Sequence, residues 1–300
     1  MKKILFATTA LVATAGVAAA DVSFSGYGRF GVSHSSATGN SVITSRLRLQ
    51  IDMSTEADNG LSFGARLRHQ QDAVDGTPHA RTPNGHGFNQ ARFHMRAGGL
   101  EVGVGNIQGA IEWMPGLYLS TQSAGVGLNG GSYSFLPSAS WDAYESRQDT
   151  ARRNQGVEVK YSAGDFGGHL SYTNQAGEER TAAHVSYGFS GWTVALGYQG
   201  STVAANDGLM VLTVGGKIGN ASIGLMAADT AASTTYSING QVEVGAATTI
   251  TAYIASDNVA GEAYGLGVSH SLGGGASLEA GIDRNYGGTT TTDLGVRFNF

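Results

Sequence analysis

Apolar and polar residues alternate with a period of two along most of the chain, in short segments separated by glycine-rich turns. Thr44 to Thr55 shows the pattern most cleanly: Leu47, Leu49, Ile51 and Met53 alternate with Arg46, Arg48, Gln50 and Asp52. Successive side chains of a β-strand point to opposite faces, so the pattern predicts a strand with one apolar and one polar face. Val22 to His34 precedes it, with Phe24, Phe30 and Val32 opposite Ser23, Ser25, Tyr27 and Arg29. Asn59-Gly60 predicts a hairpin into Leu61 to Gln71, and Gly98-Gly99 a turn between Asn89 to Ala97 and Leu100 to Gly105.

After an interruption the alternation resumes as Gly156 to Ser162, Gly168 to Thr173, Thr181 to Phe189, Trp192 to Gln199 and Leu209 to Ile218. Ala221 to Ala228, Thr235 to Val244, Thr248 to Ala255, Ala263 to Leu272, Ala276 to Arg284 and Thr292 to Phe300 complete sixteen segments. Leu209 to Ile218 is apolar on both faces, which leaves its register undecided. The interruption, about 106–150, shows no sustained alternation and carries Glu112, Trp113, Pro115, Pro137, Trp141, Asp142, Glu145 and Asp149. A loop this long in a compact domain is usually functional or disordered, and its aromatic and leucine content argues against disorder. It is expected to fold back into a barrel and narrow the lumen.

The first twenty residues change the picture. Lys2-Lys3, an apolar run from Ile4 to Val17, and Ala18-Ala19-Ala20 form a secretory signal peptide, with a mature chain expected over 21–300. The 18 basic residues include Lys2 and Lys3, so without the leader the balance against 23 acidic residues moves from −5 to about −7. That gives no support for a nucleic-acid partner. Cysteine is absent, so neither disulfides nor thiol chemistry is available. Forty-six glycines against four prolines suit tight-turned β-structure. No apolar run after Ala20 is long enough for a transmembrane helix.

A soluble β-sandwich or an outer-membrane barrel could carry this alternation. Short turns alternating with longer polar connections, an even strand number, and aromatics near predicted strand ends (Tyr161, Tyr172, Tyr187, Phe189, Trp192, Tyr198, Tyr264) favour the barrel. The expected fold is all-β, a sixteen-stranded antiparallel transmembrane barrel wide enough for an aqueous channel.

In that barrel Arg29, Arg46, Arg48, Arg66, Arg68, Arg92 and Arg96 face the lumen, because arginine facing lipid at mid-depth costs about 2–4 kcal/mol. Glu112, Asp142, Glu145 and Asp149 on the loop are the expected counter-charges. Facing charges of this kind set ionic selectivity and the gap sets the size limit, so the expected function is passive diffusion of ions and small hydrophilic solutes. A solute-specific channel is the alternative; its signature would be a track of lumenal aromatics, and only Tyr27 and Tyr253 project inward.

An enzyme is not expected. The eight histidines are scattered and neither H-E-x-x-H nor G-x-S-x-G occurs. Gly26-Tyr27-Gly28-Arg29-Phe30-Gly31 matches G-x-G-x-x-G in letters, but no strand precedes it and no helix follows, so no cofactor is expected.

The mature start Asp21-Val22-Ser23-Phe24-Ser25-Gly26-Tyr27-Gly28-Arg29 and the alternating end Asp293-Leu294-Gly295-Val296-Arg297-Phe298-Asn299-Phe300 resemble the Gram-negative general porins, most closely those of photosynthetic and related α-proteobacteria. The resemblance covers 21–300. It implies a homotrimer of sixteen-stranded barrels in the bacterial outer membrane, among lipids and lipopolysaccharide. It also implies a third loop bent inward, with loop acids facing a basic wall, and a terminal phenylalanine, here Phe300, read by the outer-membrane assembly machinery. Some relatives bind calcium near the constriction; this sequence has no D-x-D-x-D-G loop, so no metal ligand is assigned.

Overall fold

The computed structural model describes residues 20–74, 88–119, 126–129, 136, 155–175 and 177–300. All sixteen expected segments form strands. They are β1 (Asp21–Ser35), β2 (Asn40–Glu56), β3 (Ser62–Val74), β4 (Arg92–Ala97), β5 (Leu100–Gly105) and β6 (Gly156–Ala163). β7 (Phe166–Gln175), β8 (Glu178–Phe189), β9 (Trp192–Ser201), β10 (Leu209–Ile218) and β11 (Ala221–Asp229) follow. β12 (Thr234–Val244), β13 (Thr248–Asp257), β14 (Gly261–Gly273), β15 (Ala276–Arg284) and β16 (Thr290–Asn299) end the series.

Each strand pairs antiparallel with its neighbours in sequence, and β1 pairs with β16 to close the barrel. Closure satisfies the backbone of both end strands, which an open sheet in hydrocarbon could not do. It runs to the last residue: Gly26 N donates to Phe300 O at 2.8 Å, and Phe300 N to Gly26 O at 3.1 Å.

The two faces of the alternation are sorted as expected. Phe24, Phe30, Val32, Leu47, Leu170, Leu196, Leu212, Ile238, Ile254 and Leu266 are exposed on the outside, as a lipid-facing surface requires. Aromatic residues bracket this band. Tyr161, Phe166, Tyr187 and Phe189 lie near the rim with the short turns, and Tyr172, Tyr198, Tyr236 and Tyr264 near the other. The short turns share a rim with the start of β1 and the end of β16. Ser190 and Gly191 there both have positive φ (48° and 80°), the geometry that matches the twist of a hairpin.

Two findings go beyond the pattern. β4 and β5 have six residues each, fewer than the roughly 9–11 that a tilted strand needs to cross hydrocarbon. And a dry core exists inside the lumen. Ala110, Ile111, Met114, Leu117, Leu119, Val126 and Leu136 of the loop pack with Ala182, Ala195, Leu209, Val211, Met226, Ala228, Tyr253, Ala255 and Ala263 of the inner wall. This settles β10: Leu209 and Val211 point inward beneath the loop, while Met210 and Leu212 point out.

Candidate functional site: the inward loop and the arginine wall

The loop leaves β5 at Gly105 and follows the inner wall from strand to strand. Asn106 N donates to Ala91 O (3.0 Å), Gln108 N to Glu158 Oε2 (3.0 Å) and Ala110 N to Ser171 Oγ (2.9 Å). His184 Nδ1 donates to Ala110 O (2.6 Å), which fixes that nitrogen as the protonated one. Ile111 and Met114 lie against Gly197, and Thr213 Oγ1 donates to Pro115 O (2.6 Å). The loop is thus fastened successively to β6, β7, β8, β9 and β10.

A second fastening lies across the barrel at 126–129. Leu128 N and Asn129 N donate to the two oxygens of Asp293, both at 2.8 Å. Arg29 donates to the Leu128 carbonyl, and Thr44 Oγ1 to Asn129 Oδ1 (3.1 Å). The wall is bare here. A Cβ added at Gly281 would lie 2.5 Å from Gly127 Cα, and one at Gly31 or Gly295 would lie 2.5 Å from Leu128 Cδ2. Backbone can approach backbone this closely only where side chains are missing.

The arginine wall spans β16 and β1–β3. Arg46, Arg29 and Arg297 stand in one row across β2, β1 and β16, each opposite the next in register. Tyr27 sits between them: the Arg297 guanidinium is 3.8 Å and that of Arg48 5.3 Å from its ring centre, and Arg46 Nη1 donates to its hydroxyl (3.2 Å). Cations over an aromatic face are attracted by its quadrupole, which offsets part of their mutual repulsion. Carboxylates of the wall itself offset more. Asp72 accepts from Arg46, and Asp52 from Arg66 at 2.5 Å. Arg48 donates to Gln70 (2.5 Å) and Arg68 to Gln50 (2.7 Å). Arg46, Arg48, Arg66 and Arg68 keep partial exposure to the lumen, whereas Arg29 and Arg297 are buried.

Arg92 and Arg96 belong to a different cluster, between the loop base and the short turns. Arg92 is inward-facing but buried beneath the loop, donating to Glu101 and, from Nε at 2.6 Å, to Glu158. It therefore does not line open water. Glu158 also pairs with His169 Nε2 (2.9 Å) and receives the Gln108 amide, so one buried carboxylate ties wall to loop. Arg96 pairs with Glu101 near the rim. Glu112 is half-buried in the turn at 110–113. Asp142, Glu145 and Asp149 lie outside the described residues.

Alternation does not single out the wall carboxylates or Arg297 as part of the site, but hairpin register does for the carboxylates. The turn at Gly98-Gly99 sets Ala97 opposite Leu100, hence Arg96 opposite Glu101. The turn after Glu56 likewise sets Arg46 opposite Asp72 and Arg66 opposite Asp52. Arg297 alternates with the outward Val296 and Phe298.

A closed barrel with an apolar outer band, a polar charged lumen and a loop packed inside it defines a transmembrane diffusion channel. The chain belongs to the Gram-negative porin family, whose model matches residues 7–290. It is 30% identical to the porin of Fuscovulum blasticum and 27% identical to that of Rhodobacter capsulatus, in each case over 93% of this chain and all of the relative. A solved structure of a Rh. blastica porin variant superposes with a TM-score of 0.80 at 26% identity, covering 93% of this chain and all of that one. The protein is an outer-membrane channel for passive diffusion, without catalytic activity. Its family is generally trimeric.

Proposed function

We propose that ionic selectivity is set by Arg46, Arg48, Arg66 and Arg68 on the wall, facing acids of the loop across the narrowed lumen. The observation that carries this reading is the arginine row of β16, β1 and β2 continued onto β3, on the part of the wall opposite the loop's apolar contact with β8–β11. Confined charges of one sign raise the local concentration of counter-ions. Glu112, Asp142, Glu145 and Asp149 supply the opposing charge, and a dipolar solute is oriented between the two. Neutral replacement of Arg46, Arg48 and Arg66 together shifts permeability toward cations. An unchanged reversal potential in a salt gradient would sink the idea.

The active form is a homotrimer whose contact includes β2–β5. Strands of six residues are too short to face hydrocarbon over its full thickness, so protein must cover that part of the wall. His69 and Gln71, polar and half-buried on the outer side of β3, favour the same face. Introducing Phe93→Arg there should convert SDS-resistant trimers to monomers; persistence of the trimer places the contact elsewhere. Residues 1–20 act as the signal peptide, and Phe300 as the mark read during outer-membrane assembly. Mass spectrometry of the mature chain should begin at Asp21, the first residue of β1.

A further inference from the structure

Beneath the loop base, at the mouth ringed by short turns, lies a recess of about 330 Å³ lined by Arg96, Glu101, Trp113, Lys160, His169 and His184. Its volume falls within the range of small-molecule sites, roughly 300–1,000 Å³. We propose that it is a binding site for a small organic anion that carries a carboxylate on a flat ring, a preference beyond passive sieving that rests on the channel reading.

Three observations converge on that ligand. The first is the order of the charges. The Arg96 and Lys160 side chains are 54% and 22% exposed, while those of Glu101 and Glu158 are 13% and 0% exposed. Glu158 therefore stands behind the cations, Glu101 on the recess wall is paired with Arg96, and the groups most open to the recess are positive. Lys160 Nζ is 3.7 Å from Glu101 and 4.0 Å from Glu158, so its ammonium is tethered at a fixed point. Arginine beside it offers a planar fork matched to a carboxylate.

The second is Trp113. Its indole projects from the loop, remains 46% exposed, and packs 4.9 Å from Lys160 Nζ. A large apolar ring left open beside cations is a stacking surface. The third is the wall beside it. Gly167 lines the recess on the inward face of β7 without a side chain, which leaves room for a ring. Charge alone would hold any anion, and the indole alone any apolar solute. Their juxtaposition selects a molecule with both parts.

Benzoate tests this, with acetate and benzyl alcohol as its separate halves. Purified protein is inserted in a planar bilayer in potassium chloride, and solute is added on the side that carries the short turns. Block is read as a fraction of each channel's own salt current. Benzoate should reduce the current with a half-block concentration about tenfold below those of acetate and benzyl alcohol, and Trp113→Leu and Arg96→Gln should each raise it about tenfold. Quenching of tryptophan fluorescence in detergent should follow the same ranking and be lost in Trp113→Leu. Equal block of wild type and both variants, acetate as effective as benzoate, or no benzoate effect by either readout would overturn the proposal. Loss of salt conductance with benzoate quenching retained would instead count against the channel.

Discussion

The inner faces of β9–β10 and of β2–β3 are both turned away from lipid, yet they are built differently. Ala195, Leu209 and Val211 are almost fully buried against Ile111, Met114 and Leu117 of the loop. Arg46, Arg48, Arg66 and Arg68 keep partial exposure to the lumen. Alternation in this chain records which side of the membrane wall a residue faces. What covers that side decides whether an inward charge can stay open to water or must be paired or replaced by an apolar residue. Over β9–β10 the loop makes the lumen as dry as a protein interior, and elsewhere beneath it charge is kept only in paired form, as at Arg92 and Glu158; on β2–β3 charge stays in reach of water and is usable for selectivity.

The contrast can be broken most severely at Glu158. Replacing it by alanine leaves the buried Arg92 without one of its carboxylates and the Gln108 amide without its acceptor. Removing one member of a buried ion pair costs about 3–5 kcal/mol, to be read as a lower denaturant midpoint for the barrel in detergent. A midpoint unchanged from wild type would mean the network is solvated. Next is the dry contact: Leu209→Ala should cost about 2–5 kcal/mol and widen the spread of open-channel conductances, because the loop loses its apolar seat. Full retention of both stability and conductance would remove the dry core from the account.

Asp293→Ala addresses the far fastening. Two backbone amides lose their acceptor, about 1–3 kcal/mol for each group left buried and unsatisfied, and the 126–129 segment should loosen. Larger or noisier single-channel steps are the expected readout, with little change in reversal potential. The mildest change is Arg96→Gln: an exposed pair contributes about 0–1 kcal/mol, so stability should stay near wild type. A large loss there would show that the rim cluster acts as one unit with Glu158.

Much of the barrel could be read from the chain because a membrane wall imposes one rule on every strand. The faces of the strands other than β10 were legible that way, since Leu47, Leu49 and Ile51 could not trade faces with Arg46, Arg48 and Gln50 without placing arginine in lipid. Leu209 and Val211 were not, because their inward side is decided by a loop about a hundred residues earlier. The loop's seat was hidden for the same reason. Asp293 and Leu128 are 165 residues apart, and no local period connects them. The ion pairs of the wall were available through hairpin register, a different signal from alternation.

The seat of 126–129 also sits on the seam of the barrel. Gly31 and Arg29 belong to the first strand, Gly295 and Asp293 to the last, and Leu128 lies across the line where the two meet. Bringing those strands together closes the longest stretch of chain in the molecule, and only then are both halves of the seat present. Leu128 is in this sense an inner rivet. A sheet still open at that edge would keep the seat of 106–115 on β6–β10 but have none for 126–129, so sealing the cylinder completes the second anchor of the loop that narrows it.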